Sequence, residues 1–130
     1  MSELTRTQLI QLIAIATKPL NLRRVNLEEV DLSGLDLSGA NLEEANLSGT
    51  MLSGAILDRA NLYHANLSKS ILAYAELSHA NLVCANLREA DLFHANLSHA
   101  DLERANLSGA INIDEICLYK TNLKRVIGLE

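Results

Sequence analysis

The sequence predicts an all-β solenoid with a short α-helix over its first coil, and two periods in the chain lead to this prediction. Leu stands at every fifth residue from Leu22 to Leu107, and a small or apolar residue, most often Ala, lies two positions before each Leu. A pair of Asn residues, beginning with Asn41 and Asn46, returns every 20 residues. The first period indicates a five-residue unit, and the second indicates four units per coil.

A five-residue period fits neither a regular helix nor a long strand. An α-helix advances by about 100° per residue, so the Leu residues would spread around its surface. A flat strand alternates with a period of two. The chain instead shows a spacing of two followed by a reset of three, which predicts two inward residues and then a corner. One unit alone buries almost nothing, so the units must stack.

The first 19 residues are predicted to form a capping helix and a linker, because an open solenoid end exposes unpaired edges. The helix is expected over roughly residues 5–17, with Thr5 or Ser2 as its N-cap and Pro19 as its stop. Its polar face lacks the Lys and Arg residues of a membrane-surface helix, so we expect it to lie on the first coil. Its apolar face comprises Leu9, Leu12, Ile13 and Ala16, flanked by Ile10 and Ile15.

Residues 20–110 hold the in-phase repeats, and adding 20 to a residue number gives its neighbour in the next coil. Stacked Asn side chains can hydrogen-bond along such a column. One predicted column contains Asn21, Asn41, Asn61 and Asn81, followed by Asp101, and the next contains Asn26, Asn46, Asn66, Asn86 and Asn106.

Residues 111–130 continue the repeat after a shift of one residue and end in a second cap. We interpret the shift as one inserted residue near Ala110, bulged at a corner. Residues 126–129 are predicted to cover the last coil. The residues expected to point inward are Ile113, Leu118 and Leu123, with Ile111, Ile116 and Thr121 two positions before them.

The run from Asn21 to Ala110 resembles the pentapeptide-repeat family, whose consensus is Ala-(Asp/Asn)-Leu-x-x. The resemblance implies a right-handed quadrilateral β-helix, here of about five coils. It also implies, as an alternative function, a DNA-mimicking protein that binds topoisomerase, as some members do. Those members are longer, strongly acidic dimers, whereas Arg residues interrupt the acidic columns here.

The composition excludes several classes of protein. A content of 48% apolar residues and a mean hydropathy of +0.09 exclude a disordered polar chain. No run of about 18 apolar residues predicts a membrane span, and the start lacks the pattern of a signal peptide. The net charge of −5 disfavours direct binding of nucleic acid. With Cys84 and Cys117 expected to be free thiols, the sequence predicts a cytoplasmic protein.

No catalytic motif is present, so the sequence predicts neither an enzyme nor a cofactor. His79 and His99 should be neighbours in a column headed by Arg59, but a metal site needs three or four ligands. Cys84 is interpreted as a surface residue, in a column with Glu44, His64 and Arg104. We expect solvated side chains and no metal at the four His residues, which are His64, His79, His94 and His99.

Outward positions turn apolar at a few places, and a contiguous exposed apolar patch usually marks an interaction site. The alternative is that these residues only shield backbone edges or have drifted. The sequence therefore predicts a rigid protein-binding or scaffold module, acting as a monomer or a weak homo-oligomer with a protein partner. The candidate patch comprises Met51, Ile71, Tyr74 and Phe93, together with Ala73, on one side and Ile56 on the next, and Tyr63 and Val83 form a smaller pair elsewhere.

Overall fold

The computed structural model describes residues 4–17 and 19–129, and from residue 20 onwards the chain winds into stacked coils. Parallel bridges join residues 20 apart, from Asn21 with Asn41 to Asn86 with Asn106. Each bridge is isolated, so among the described residues the β structure on each side of the solenoid is one residue wide rather than a strand. The regular helices are α1, Arg6–Ile15, and a short 3-10 helix, Ile113–Glu115.

The bridge residues stack into four columns, and each column marks one face of the solenoid. Hydrogen bonds run along the stack axis: the Leu22 amide donates to the Asn41 carbonyl at 2.7 Å, and the Asn41 amide donates to the Leu20 carbonyl at 2.8 Å. Hydrogen bonds to the neighbouring coils therefore fix the position of each coil along the stack axis. The columns begin at Asn21 for face 1, Asn26 for face 2, Asp31 for face 3 and Asp36 for face 4.

The interior is filled by Leu and by the small residue two positions before it, as predicted. Every repeat Leu from Leu22 to Leu107 is at most 5% exposed. Thr50 and Ser70 occupy two of the small positions, and their hydroxyls donate to the carbonyls of Leu47 and Leu67 at 2.7 Å. Each buried Leu contributes about 1.5–3 kcal/mol, so the repeat itself builds the core.

The corners explain why Asn or Asp precedes most of the Leu residues. The second residue after each Leu has a positive φ, as at Arg24 (59°), and its neighbour does not, which is the pattern of a type II turn. At Asn41, Oδ1 accepts a hydrogen bond from the amide of Glu43 at 3.1 Å. Every Asn or Asp in the bridge columns from Asn21 to Asn122 makes this turn bond.

Helix α1 covers the first coil. Thr5 is the N-cap, and it exchanges hydrogen bonds with Gln8 in a capping box. Leu9 is fully buried against the core. The predicted helix is too long at its end, because Ala16 is already extended and exposed on the approach to a proline. Ser2, the other predicted cap, lies outside the described residues. Within the described chain, no helix is long and apolar enough to cross a membrane.

Arg6 completes the hydrogen bonding of the first coil on face 3. Its guanidinium donates to the carbonyl of Asp31 at 2.8 Å and to that of Ser33 at 3.1 Å. One coil later, the equivalent carbonyls of Met51 and Ser53 accept amides of the coil above at 2.7 and 3.0 Å. One side chain therefore takes the place of two backbone donors.

The predicted one-residue insertion is present, but it follows Ile111. Asp91 bridges Ile111 at a spacing of 20, whereas Asn96 bridges Cys117 at a spacing of 21. Asn112 has a φ of 60°, and the 3-10 helix absorbs the extra residue. The prediction that Ile111 points inward is wrong, because it still occupies an outward bridge position and is 54% exposed.

The last coil is more open than the first. Ile113, Ile116 and Leu118 pack against the core. Leu123 was expected to be inward, but it is 37% exposed because no further coil lies beneath it among the described residues. Val126 and Leu129 cover only part of this end.

Candidate functional site

The structure places the candidate residues on faces 3 and 4, and we call Met51, Ile56, Ile71, Tyr74 and Phe93 the apolar patch. Met51 and Ile71 are bridge partners on face 3 and are 40% and 39% exposed. Ile56 is on face 4 and is 38% exposed, and Tyr74 lies at the corner between these faces. The residues are thus on adjoining outward positions of consecutive coils.

Three rings cluster at the C-terminal end of the patch. The centroids of Tyr74 and Phe93 are 5.5 Å apart in an edge-on arrangement, and His94 stacks on Tyr74 at 5.3 Å. The Nε2 atom of His94 also lies 2.7 Å from a carboxylate oxygen of Glu115. His94 was predicted to be merely solvated, although adding 20 to Tyr74 could have placed it here. Tyr74, Phe93, His94 and Glu115 thus form one cluster of contacting side chains.

The corner between Met51 and Ile56 is formed by Ser53 and Gly54, and its second position has no side chain. Gly54 has a φ of 65°, and a Cβ atom built there would meet nothing within 4 Å. Gly34, one coil earlier, is equally bare. At Gly54, therefore, no side chain stands between Met51 and Ile56.

The apolar residues of the bridge columns forgo a stabilising bond. Met51, Ile56 and Ile71 cannot accept the turn hydrogen bond that Asn and Asp accept at the same position. Such a bond contributes about 0.5–1.5 kcal/mol. Three adjacent positions therefore lack a feature that elsewhere favours the fold.

Carboxylates bracket the patch in both columns. Asp31 and Asp91 are the bridge neighbours of Met51 and Ile71, and Asp36 and Glu76 are the bridge neighbours of Ile56. We call these four residues the acidic frame. Face 3, which comprises residues 30–34, 50–54, 70–74, 90–94 and 110–116, contains no Lys or Arg.

Two carboxylates of the acidic frame are held in the ionised form. The backbone amide of Ser33 lowers the pKa of Asp31 most, followed by its hydroxyl. The Ser38 hydroxyl, at 2.6 Å, lowers the pKa of Asp36 most, followed by the Ser38 amide. Donors held at short distance favour the charged form, so Asp31 and Asp36 are negative at neutral pH.

The other predicted positions lie away from the patch. His79 and His99 stack with centroids 4.6 Å apart and ring planes 4° apart, as the column predicts. Across the described residues, no group of three or more His, Cys, Asp or Glu side chains could hold a metal ion. Cys84 on face 1 and Cys117 on face 4 are free thiols.

Face 1 carries the smaller apolar pair. Tyr63 is 37% exposed and packs edge-on against His64 at 4.4 Å. Val83, the next residue in the same outward column, is less exposed. This pair lies on the face opposite the Met51 and Ile71 column, so it offers a comparison surface of similar chemistry.

Comparison with protein families and solved structures identifies similar chains. Eight copies of the family model for pentapeptide repeats match, over residues 21–59, 60–98, 70–109 and 85–125. No curated protein matches. The pentapeptide repeat protein alr5209 from Nostoc PCC 7120 is 32% identical, with a TM-score of 0.72 over 88% of this chain and 95% of that chain.

Two further cyanobacterial structures are similar in sequence. Rfr23 from Cyanothece 51142 is 35% identical over 88% of this chain and 67% of its own, with a TM-score of 0.48. HetL from Nostoc, described as involved in the regulation of heterocyst differentiation, is 31% identical over 84% of this chain, with a TM-score of 0.49. This chain spans 55% of the length of HetL.

Proposed function

This chain belongs to the pentapeptide-repeat family, and from that premise we propose that it is a non-catalytic β-helical module that binds a protein partner through its apolar patch. We also propose that its coils form the right-handed quadrilateral helix that the family resemblance implies. The observation that carries the function is the replacement of Asn and Asp by Met51, Ile56 and Ile71 at adjacent bridge positions.

The physical setting supports a docking role. The patch is held on a core of buried Leu and on coils linked by short hydrogen bonds, so binding costs little ordering of the backbone. Met and aromatic residues are enriched in the centres of protein interfaces. Drift alone would not favour three neighbouring losses of the same turn bond.

A DNA-mimicking, topoisomerase-binding role has less support. Such a role needs continuous acidic columns, whereas Arg24 and Arg104 on face 1, Lys69 on face 2 and Arg59 on face 4 interrupt them. A gyrase supercoiling assay separates the two functions. We expect no inhibition by this protein, and inhibition would favour the alternative.

We also propose a reducing compartment, such as the cytoplasm, as the place of action. Cys84 and Cys117 are free and lie on different faces, and free thiols persist where glutathione and thioredoxin keep them reduced. The assembly state is proposed to be a monomer or a weak homo-oligomer.

Affinity capture from an extract of the native cell tests the proposed function. The wild type is compared with Met51→Asn/Ile71→Asn and with the matched control Tyr63→Ser/Val83→Ser, which removes two apolar side chains from face 1. We expect the wild type and the control to retain the same protein and the Met51→Asn/Ile71→Asn variant to lose it. Equal capture by all three would overturn the function of the patch.

A further inference from the structure

We propose that the occupant of the apolar patch is a cationic amphipathic α-helix of another protein, lying along face 3 parallel to the stack axis. The inference rests on the proposed function and adds the chemistry of the partner. It combines the acidic frame, the spacing of the coils and the bare glycine corner.

Charge selects a basic partner. Each end of the patch on face 3 is closed by a carboxylate, Asp31 at one end and Asp91 at the other, and Glu76 adds a third on face 4. Arg6 of helix α1 pairs with Asp31 at 3.7 Å, whereas no described Lys or Arg forms an ion pair with Asp91 or Glu76. A partner that buries Met51 and Ile71 must therefore bring its own cations beside Asp91 and Glu76, because an unpaired charge at an interface is costly. Lys or Arg residues on both sides of an apolar stripe meet this requirement.

The spacing of the patch suits a helix. Consecutive coils are about 4.8 Å apart, and one turn of an α-helix rises about 5.4 Å. From Asp31 to Asp91 the column covers three coil steps, or about 14 Å, which equals between two and three helical turns. Apolar residues one turn apart can therefore contact Met51 and Ile71 in succession, while Tyr74 and Phe93 close the C-terminal end of the contact.

The bare corner gives the helix room. Because Gly54 adds no side chain between faces 3 and 4, the helix can contact Ile56 as well as the face 3 column. Farther along the same corner, Tyr74 is 59% exposed and rises beside the column. The surface is thus open beside Met51, whereas the Tyr74 side chain bounds it beside Phe93. This boundary sets the position of a helix along the axis.

Other occupants fit less well. Nucleic acid and anionic membranes carry the same sign of charge as the acidic frame and would be repelled. The helix α1 of a second copy is also unsuitable, because its only basic residue is Arg6, which is bound to the first coil, and Leu9 is buried.

Fluorescence anisotropy with defined peptides tests the inference. The probes are three 18-residue helical peptides with the same Leu stripe and with flanks of Lys and Arg, of Gln, or of Glu. The full chain is compared with Glu76→Gln/Asp91→Asn, whose amides retain the acceptors used by Asn96 and Phe93. The control is Glu29→Gln/Glu89→Gln, which removes the same charge from face 2.

We expect the cationic peptide to bind at least about tenfold more tightly than the Gln peptide, with the Glu peptide weakest. Glu76→Gln/Asp91→Asn should remove most of this preference and reduce its salt dependence, whereas the face 2 control should keep both. Met51→Asn/Ile71→Asn should weaken the cationic and the Gln peptides alike, because both use the apolar stripe.

Four results would overturn the inference. Equal binding of the cationic and Gln peptides, with loss of both in Met51→Asn/Ile71→Asn, would leave the proposed function standing without the cationic partner. Unchanged binding of the cationic peptide to that variant would show that the charges act without the patch. Absence of binding by every peptide at millimolar concentration would reject a helix as the occupant. Self-association of the wild type that Met51→Asn/Ile71→Asn abolishes would assign the patch to a second copy.

Discussion

Faces 2 and 3 share one core and one turn, yet their outward columns differ. On face 2 the column from Asn26 to Asn106 is Asn in every coil, and Asn46 and Asn86 donate to the Asn above at 3.2 and 3.3 Å. On face 3 the column reads Asp31, Met51, Ile71, Asp91 and Ile111. The coils continue across both faces, so the inward Leu and Ala residues are sufficient for stacking. The outward column is free to serve another purpose.

Loss of an inward Leu should affect both faces equally, and this is the largest expected effect. Leu67→Asp on face 2 and Leu72→Asp on face 3 each place an unpaired charge among fully buried Leu side chains. We expect each to cost about 4 kcal/mol or more in the free energy of unfolding, measured by urea unfolding. Tolerance of Leu72→Asp alone would mean that face 3 is not built on the same core.

Exchange of the outward residues should separate the faces. Asn66→Ile removes the acceptor for the Ser68 amide at 3.1 Å and for Asn86 Nδ2 at 3.3 Å, and we expect a cost of about 1–3 kcal/mol. Ile71→Asn on face 3 loses partial burial but gains a turn bond, so the free energy of unfolding should change by less than about 1 kcal/mol. The same urea experiment measures both. Equal costs would show that the Asn column does not stabilise the fold.

The cap over face 3 should contribute a smaller amount. Arg6→Ala leaves the carbonyls of Asp31 and Ser33 without their guanidinium donors, and we expect a loss of about 1–2 kcal/mol, discounted for the partial exposure of Arg6. Amide hydrogen exchange should rise first in the first coil of face 3. Arg6→Lys is the matched variant. It keeps the positive charge, but one ammonium cannot replace the planar pair of donors, so it should lose protection as well. Full protection in Arg6→Ala would contradict this role.

A fall in pH should destabilise faces 3 and 4 but not the Asn column of face 2. This is the smallest of the expected effects. The pKa values of Asp31 and Asp36 are lowered by hydrogen bonds from Ser33 and Ser38. Their contribution to stability is therefore present above the pKa of the unfolded chain and is lost as the pH falls through the folded value. Thermal melts at falling pH should show a smaller decline for Asp31→Asn/Asp36→Asn than for the wild type. A parallel decline in both proteins would contradict it.

The five-residue period, the columns of stacked residues and the helix over the first coil could all be predicted from the sequence, because each depends on a residue type that only one environment favours. It placed the inserted residue close to its observed position at Asn112 but assigned Ile111 to the wrong side, since Ile111 and Ile113 are both apolar and only the left-handed backbone of Asn112 separates their roles. It also missed the contact of Arg6, because the direction in which α1 crosses the first coil leaves no mark in the chain. His94 was within reach through its column, but its stacking on Tyr74 depends on side-chain conformation.

The corner after Ile111 has a consequence for how such a chain can change its length. A 21-residue step from Asn96 to Cys117 keeps the next bridges intact, and Asn122 and Ile127 still pair with Asp101 and Asn106. The extra residue is absorbed at Asn112 and in the 3-10 helix, while Ile113 still packs against the core. This fold can therefore accommodate the insertion of a single residue at a corner without a change in the bridge pairing of the coils that follow. The same corner is a natural place to graft a short epitope or attach a dye.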